Sequence, residues 1–397
     1  MTRTLRRILV TIRDLKRAPL SELRKAAALA QAAGASLELF HAIDAPDPGA
    51  SWPESASAAT VERQRADIAA RARRRLERFA SDQSLRGVKV SCTASWDYPP
   101  HEAIVRRALD TRADLVIALT RHHGPGARLL LRNTDWELIR HCPVPLLLVK
   151  TRRAYLKPAV LAAVDPFHAR PADLDARLLT SGGRLARLLH GKLHVFHSYM
   201  PLVNVATLSM GAAPLVTLPP QIEEAHGRQV SRVIDKLAEA AGVSRSRRHI
   251  HMGDVAGELR AAVRDTGASL VVMGAVSRSG LARLFIGNTA ERVLDKLDCD
   301  ILVVKPHTFK SKIERRPAVA PTGAPRRKRA ARAPRQPLPP RDGHRHAGDA
   351  ASGLIRIQNF TITPAPHTTS RVRKSGVHTP PSAAQPSAPM MLPLLHT

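Results

Sequence analysis

Aromatic residues and cysteines are scarce in this chain of 397 residues. Phe, Trp and Tyr together make up 3% of it, and only Phe309 and Phe360 follow residue 306, which excludes base stacking by that region. The three cysteines, Cys92, Cys142 and Cys299, are far apart and form no CxxC pair. This spacing excludes a disulfide framework and a structural zinc site, so we expect a reducing, cytoplasmic location.

Signals for export, membrane insertion and catalysis are also missing. The N-terminus is basic, but only about five apolar residues follow before charge returns, too few for a signal peptide or a membrane span. The chain has no P-loop and no GxSxG motif, and His101-Glu102 lacks the second histidine of a zinc-protease helix. No residue set demands catalysis or holds a metal, so we expect a protein that is not an enzyme.

The residues that are present indicate a folded protein with a large positive charge. Hydrophobic residues make up 44% and charged residues 24%, which is typical of a globular protein. The length predicts two or three domains. Of the net charge of +29, residues 307–397 carry +13, from 16 Lys and Arg against three acids, and residues 1–306 carry the other +16.

An internal duplication is the clearest feature of the chain. Residues 113–150 align with residues 268–305 without a gap, at a constant offset of 155. The aligned pairs include Asn133 with Asn288, Thr134 with Thr289, Val149 with Val304 and Lys150 with Lys305. The chain therefore contains two copies of one fold.

Within each copy, short apolar runs typical of strands alternate with longer stretches of helical spacing, which predicts a parallel sheet with crossover helices. The first copy has predicted strands at Arg7–Arg13, Ser36–Ala42, Val88–Ala94, Asp114–Leu119 and Pro145–Lys150, and predicted helices at Leu20–Ala33, Val61–Ser81, Pro100–Thr111 and Asn133–His141. The second copy has predicted strands at Val160–Val164, Leu193–Ser198, Arg248–Met252, Leu270–Gly274 and Asp300–Lys305. We expect an α/β fold with two tandem open, Rossmann-like parallel sheets. If the strand order of each sheet is 3-2-1-4-5, the first and fourth strands flank a crevice.

Three regions follow from this pattern: domains at residues 1–152 and 153–306, and a tail at residues 307–397. The tail is rich in Pro, Ala and Arg, a composition that cannot bury enough apolar surface to fold, so we expect it to be disordered. Its basic run at residues 326–329 favours weak, salt-dependent contact with nucleic acid or anionic lipid. The alternative is a solubilising extension without a partner.

A ligand crevice is expected in the second copy. In an open α/β sheet the crevice lies where the strand order reverses, beyond the carboxyl ends of the strands. There the first strand leads to Asp165, the fourth ends at Gly274, and the next loop leads to Gly287, Asn288 and Thr289 at a helix start. Such glycines and helix starts favour phosphate, and Asp165 can accept a hydrogen bond from a ribose or a base. Alternatively, Asn288 and Asp165 are only helix N-caps.

The loop that begins at Gly274, GAVSRSGLARLFIGNTAE, resembles the nucleotide loop of the universal stress protein family. The first copy carries NTDW at 133–136 and RHCP at 140–143, which is similar to the tandem two-domain branch of that family. The resemblance covers residues 5–306. It implies adenine nucleotide alpha hydrolase-like domains, a role in stress survival, and pairing of the two copies as an intramolecular pseudo-dimer or a homodimer.

The resemblance also implies a set of ligand contacts. ATP-binding members of the family use Gly-x2-Gly-x9-Gly followed by Ser or Thr. This chain keeps Gly274 and Gly287 at that spacing, while Ser277 replaces the middle glycine and Asn288 replaces the hydroxyl residue, with Thr289 one position on. Two alternatives stay open: an ATP site that acts as a switch or a slow ATPase, or a binding protein for another small ligand.

The first copy departs further from the family pattern. Leu119, His122 and Arg132 stand at the glycine positions, and Arg13 stands where the second copy has Asp165. We expect no nucleotide there, or alternatively a small anion site formed by Arg13, His122 and Arg132. The terminal strands of the two copies are the expected pairing edges, within one chain or between chains.

Overall fold

The first half of the chain folds as a five-stranded parallel sheet flanked by helices. A computed structural model describes residues 4–44, 57–119, 133–167, 173–202, 219–275, 294 and 297–315. The elements of the first half are β1 (Arg7–Thr11), α1 (Leu20–Ala33), β2 (Ser36–Ile43), α2 (Ala58–Ala80), β3 (Val90–Trp96), α3 (Pro100–Asp110), β4 (Leu115–Leu119), α4 (Asn133–His141) and β5 (Leu146–Val149).

The second half repeats this order. Its elements are β6 (Ala159–Ala163), α5 (Leu174–Leu188), β7 (Lys192–Tyr199), α6 (Pro220–Ala240), β8 (Arg248–Met252), α7 (Val255–Thr266), β9 (Leu270–Gly274) and β10 (Asp300–Val304). Helices α1 and α4 and strands β8 and β9 have the bounds that the sequence predicts. Helix α2 begins three residues earlier than predicted, because the Ser57 side chain accepts a hydrogen bond from the Thr60 amide and caps it.

The ten strands form one sheet in the order β3-β2-β1-β4-β5-β10-β9-β6-β7-β8. The predicted order 3-2-1-4-5 is confirmed in both halves. The halves join through β5 and β10, which pair antiparallel with Ile301 opposite Leu148 and Val303 opposite Leu146. All other neighbouring strands are parallel. The terminal strands therefore pair within one chain, and neither is left as an open edge.

The junction between β5 and β10 is called the seam below. Both faces of the sheet carry an apolar core that continues across the seam. One face includes Val10 and Leu147 from the first half and Val304 from the second. The opposite face includes Leu148 and Ile301. Because strands buried on both faces must be apolar throughout, β5 and β10 read as unbroken runs, LLLV and DILVV, apart from the first residue of β10.

That residue, Asp300, is the centre of a buried polar cluster at the seam. Its side chain is 0% exposed and forms an ion pair with Lys25 of α1. The Tyr155 hydroxyl donates to Oδ2 at 2.7 Å, and the amides of Lys150 and Thr151 each donate to Oδ1 at 2.9 Å. Both carboxylate oxygens are thus hydrogen-bonded and the charge is balanced, the conditions under which a buried carboxylate is tolerated.

Two lysines cross the seam in opposite directions from equivalent positions. Lys150, after β5, donates through Nζ to the carbonyls of Leu294 and Leu297, just ahead of β10. Lys305, after β10, donates to the carbonyl of Arg140 in the last turn of α4 at 3.3 Å. Each half therefore supplies a cation to backbone carbonyls of the other, which fits the preference of helix C-terminal ends for positive charge.

The chain remains packed beyond Pro306. The Ser311 hydroxyl donates to the carbonyl of His141 at 2.9 Å, and Ile313 is only 8% exposed against the core. These contacts extend the packed chain seven residues past Pro306, after which the sequence predicts the tail to begin. The rest of that tail, residues 316–397, lies outside the described residues. Among the helices that the structure describes, none is long and apolar enough to cross a membrane.

Candidate functional site

The predicted crevice of the second half lies between β6 and β9. These strands are parallel neighbours, with Ala162 opposite Val272. Beyond them the sheet continues through β7 on one side and β10 on the other, so the order reverses here. By this register Gly274 lies level with the residue before Asp165. Two of the predicted site residues, Asp165 and Gly274, therefore come to the same carboxyl edge of the sheet, where α/β proteins bind ligands.

Asp165 follows β6 and is tied to the start of α5. Its backbone amide donates to Oδ1 of Asp175 at 3.0 Å. Helix α5 begins at Leu174 with Asp173 at the N-cap position. The alternative in which Asp165 caps this helix is wrong, because Asp165 lies nine positions before the first helical residue and Asp173 occupies the N-cap position. The Asp165 carboxylate is instead carried on the loop that leads out of the crevice.

The absence of a side chain at Gly274 is explained by packing. A Cβ at this position would come within 2.7 Å of Cδ2 of Leu174, the first residue of α5. Leu174 is fully buried, so it has little room to give way. The glycine of the nucleotide-loop pattern thus permits close packing of a helix on a strand, and its presence does not by itself indicate phosphate.

A histidine lies at the same place in each crevice, and the sequence reading missed both. The ring Nδ1 of His41 in β2 bonds to the carbonyl of Ile12 at 2.7 Å, and Nδ1 of His197 in β7 bonds to the carbonyl of Val164 at 3.0 Å. Burial lowers the pKa of His41, so its neutral form is favoured. Aligning β2 with β7 would have revealed the pair. Each histidine fixes the end of the first strand at the crevice.

The second crevice also has an aromatic ring near its mouth. Phe167, two residues after Asp165, is 45% exposed, and its ring lies 5.4 Å from that of His197, centroid to centroid. An exposed aromatic ring beside a carboxylate suits a planar heterocycle with hydrogen-bond donors, such as a nucleobase.

The first crevice is bridged by an ion pair. Nη1 of Arg13, which follows β1, lies 2.9 Å from Oδ1 of Asp135 in the first turn of α4. The side chains are 25% and 3% exposed. The positive charge of Arg13 is therefore largely compensated, which weakens the predicted anion site. The other members of that site, His122 and Arg132, lie outside the described residues.

The remaining predicted site residues also fall outside the described part of the chain: Ser277, Gly287, Asn288 and Thr289. Elsewhere, within residues 4–315 less the gaps given above, no group of three His, Cys, Asp or Glu side chains lies close enough to hold a metal ion. The three cysteines are free, and burial raises the pKa of Cys142 and of Cys299 to about 12. Neither thiol is suited to act as a nucleophile at neutral pH.

The universal stress protein family model matches residues 4–150 and 159–305 of the chain. Universal stress protein E of Escherichia coli K12 is 28% identical over 236 residues, which cover 57% of this chain and 72% of that protein. A universal stress protein E homologue of Haemophilus influenzae is 25% identical over 239 residues, covering 58% of this chain and 73% of that protein.

Solved structures of universal stress proteins have the same fold. One from Pseudomonas aeruginosa UCBPP-PA14 matches with a TM-score of 0.57 and 26% identity, over 76% of this chain and 94% of that one. Another, from Archaeoglobus fulgidus DSM 4304, matches with a TM-score of 0.51 and 16% identity, over 75% and 98% of the two chains.

Proposed function

The chain belongs to the universal stress protein family, and we propose that it acts in stress survival as a cytoplasmic binding or adaptor protein that catalyses no reaction. The names of the relatives connect them with stress. Support from the structure comes from how the crevices are built. Each crevice places a charged residue directly after its first strand, Arg13 in the first half and Asp165 in the second.

The observation that carries this proposal is the contrast between the two crevices. In the first half, Arg13 and Asp135 bridge the space from β1 to α4. In the second half, the equivalent strand end presents Asp165 and the exposed ring of Phe167. The two crevices of one chain therefore present different side chains, which suits a protein that binds a small ligand in one half and reports it to a partner.

A second candidate function is an ATP-dependent switch or slow ATPase in the second half. Phe167 and Asp165 favour it, since together they suit the base and ribose end of a nucleotide. Gly274, Ser277, Gly287, Asn288 and Thr289 would then lie around the phosphates. Hydrolysis has less support than binding, because it needs a base and metal-binding carboxylates near the phosphates.

Calorimetric titration of magnesium ATP into the full chain separates the two candidates. A matched pair of variants locates any binding: Gly287→Trp blocks the loop of the second half, and Arg132→Trp changes the aligned position of the first. The protein is a nucleotide switch if the titration shows one site of micromolar affinity, and if that site is lost in Gly287→Trp and kept in Arg132→Trp. If none of the three proteins releases or absorbs heat of binding, the ATP switch is rejected and the adaptor proposal remains. A loss in Arg132→Trp alone would show binding that depends on the positive charge of the first half and would also reject the switch.

A further inference from the structure

Helix α2 carries a surface of arginines that the crevices do not use. Arg71, Arg74, Arg75 and Arg78 recur at helical spacing on one side of the helix, and we refer to them as the arginine face. They line a shallow depression of about 600 Å³ together with Ser81 and Glu77. All four side chains are exposed. The buried residues of α2, Ala72 and Leu76, point the other way, into the core.

Among the residues that the structure describes, no carboxylate forms an ion pair with the arginine face. The nearest carboxylate along the helix, Glu77, lies 2.9 Å from Nε of Arg73, which is outside the arginine face. Nη1 of Arg75 donates to the carbonyl of Leu15 at 3.2 Å, so its guanidinium lies against the loop after β1. That loop adds two further exposed cations, Lys16 and Arg17. Its own acid, Asp14, accepts a hydrogen bond from the Lys16 amide.

The fold does not require this charge. Helix α6 occupies the same place in the second half, between the second and third strands of its sheet. It has three cationic residues against four acids, whereas α2 has seven arginines against three acids. The arginine face also sets like charges four residues apart, at 71 and 75 and at 74 and 78, an arrangement that destabilises a helix. A feature that costs stability and is missing from the internal copy calls for a functional explanation.

The chemistry of the face fits phosphate groups held in a row. Every cation of α2 is an arginine, whose planar fork matches phosphate in a bidentate way. From Arg71 to Arg78 the helix rises by about 10 Å, roughly the length of three nucleotides along one strand of a duplex. The face has no aromatic side chain for unpaired bases and no exposed apolar side chain to enter a bilayer.

We propose that the arginine face of α2 binds the phosphate backbone of double-stranded nucleic acid without regard to sequence. The site is separate from both crevices and from the predicted tail. It gives the adaptor a second binding surface on the outside of its first half. Because the contacts are to phosphate, the affinity falls steeply as salt rises.

The test compares two triple variants of the full chain that each remove three positive charges from equivalent helices. The first is Arg71→Gln with Arg74→Gln and Arg78→Gln. The matched control is Arg228→Gln with Arg232→Gln and Lys236→Gln on α6.

The probe is a labelled DNA duplex of about 20 base pairs, titrated at several salt concentrations. We expect the α2 variant to bind about tenfold or more weakly at low salt, and the slope of log K against log salt to fall by about 2 to 3. The α6 variant should bind within about twofold of the unchanged protein, since its helix makes no phosphate contact in this proposal.

Three outcomes would overturn the proposal. Equal losses in the two variants would mean that only net charge matters. An unchanged α2 variant, with binding abolished by Arg326→Gln, Arg327→Gln and Arg329→Gln, would place the contact in the tail. Binding of the α2 surface to vesicles of phosphatidylglycerol and phosphatidylcholine, without binding to the duplex, would make the partner a membrane. Circular dichroism melting of each variant checks that the fold is retained.

Discussion

The two halves of the chain have the same strand order, and they differ where side chains meet ligands or solvent. Each keeps a histidine whose ring bonds to the carbonyl at the end of the first strand, His41 in one half and His197 in the other. At the next residue the halves part: Arg13 is paired with Asp135, while Asp165 is bonded through its backbone to α5. The shared contacts hold the end of the first strand, and the residue that follows differs between the halves in its charge and in its partner.

Helices α2 and α6 show the same contrast on the outer surface. Both have buried apolar residues at helical spacing, with Ala72 and Leu76 in one and Val230 and Ile234 in the other. Their exposed faces carry very different charge. An internal duplication therefore provides a control within one molecule: the features common to both halves belong to the fold, and those confined to one half are candidates for function or for specificity of assembly.

The seam contains the sharpest exception to the symmetry. Asp300 of β10 aligns, at the offset of 155, with Pro145, so the first half has no counterpart to the buried carboxylate. Its ion pair with Lys25 joins the second half to α1 of the first. We infer that this asymmetric pair sets which edges meet and in which register.

Asp300→Ala should have the largest effect. The substitution leaves the Lys25 ammonium buried without its counter-ion and the Tyr155 hydroxyl without its acceptor. Removing one partner of a buried ion pair costs about 3 to 5 kcal/mol, so the free energy of unfolding in urea should fall by that amount. The control Asp265→Ala, at an exposed acid, should change it by less than about 0.5 kcal/mol.

Adding Lys25→Met to Asp300→Ala sharpens this test. The second substitution removes the uncompensated charge, so part of the lost stability should return. If the double variant is less stable than Asp300→Ala alone, the cost comes from lost packing, and the ion pair is not what holds the seam.

Lys305, one of the two lysines that cross the seam, makes stability depend on pH. Lys305 is 2% exposed, donates to one carbonyl and lies 4.7 Å from the centre of the Phe309 ring. Burial lowers its pKa from 10.5 to about 8. Below pH 8 both the folded and the unfolded chain hold the proton, and the full cost of burying the charge is present. Between pH 8 and 10.5 the unfolded chain binds more protons, so stability should rise with pH in this window.

Urea denaturation of the unchanged protein and of Lys305→Met from pH 7.5 to 10.5 measures this effect. The unchanged protein should gain about 2 to 3 kcal/mol relative to Lys305→Met over that range. Lys310→Met, at an exposed lysine, serves as the control and should show no comparable gain. Parallel curves for the unchanged protein and Lys305→Met would mean that Lys305 keeps its proton in the folded state and is stabilised by the Arg140 carbonyl.

Most of the fold could be predicted from the sequence because it depends on apolar periodicity. The bounds of α1 follow from a pattern within a few residues, and the alternation of strands and helices along the chain indicates a parallel sheet. The seam cluster could not be predicted in this way, since Lys25 and Asp300 are 275 residues apart and meet only when the halves pair. The packing after β10 was missed for a related reason: the Ser311 hydroxyl donates to the carbonyl of His141, which belongs to the other half.

The candidate site was predicted in part. Asp165 and Gly274 lie at strand ends, so the strand order alone brings them to one edge. The pairing of Arg13 with Asp135 was not foreseen, because no local pattern indicates which carboxylate a strand-end arginine will meet. Nor does a glycine pattern reveal whether the missing side chain makes room for phosphate or, as at Gly274, for Leu174.

The smallest predicted effect tests that last distinction. Gly274→Ala would place a Cβ 2.7 Å from Leu174, although the aligned Leu119 of the first half carries a full side chain. We expect a loss of about 1 to 2 kcal/mol in the free energy of unfolding, since a crowded core gives way only at a cost. In a background with Leu174→Ala the same substitution should cost less by about 1 kcal/mol, measured as a double-mutant cycle in urea. An equal loss of stability in both backgrounds would mean that the glycine is required for its backbone conformation or for a ligand. The nucleotide-loop interpretation of Gly274 would then be favoured over the packing interpretation.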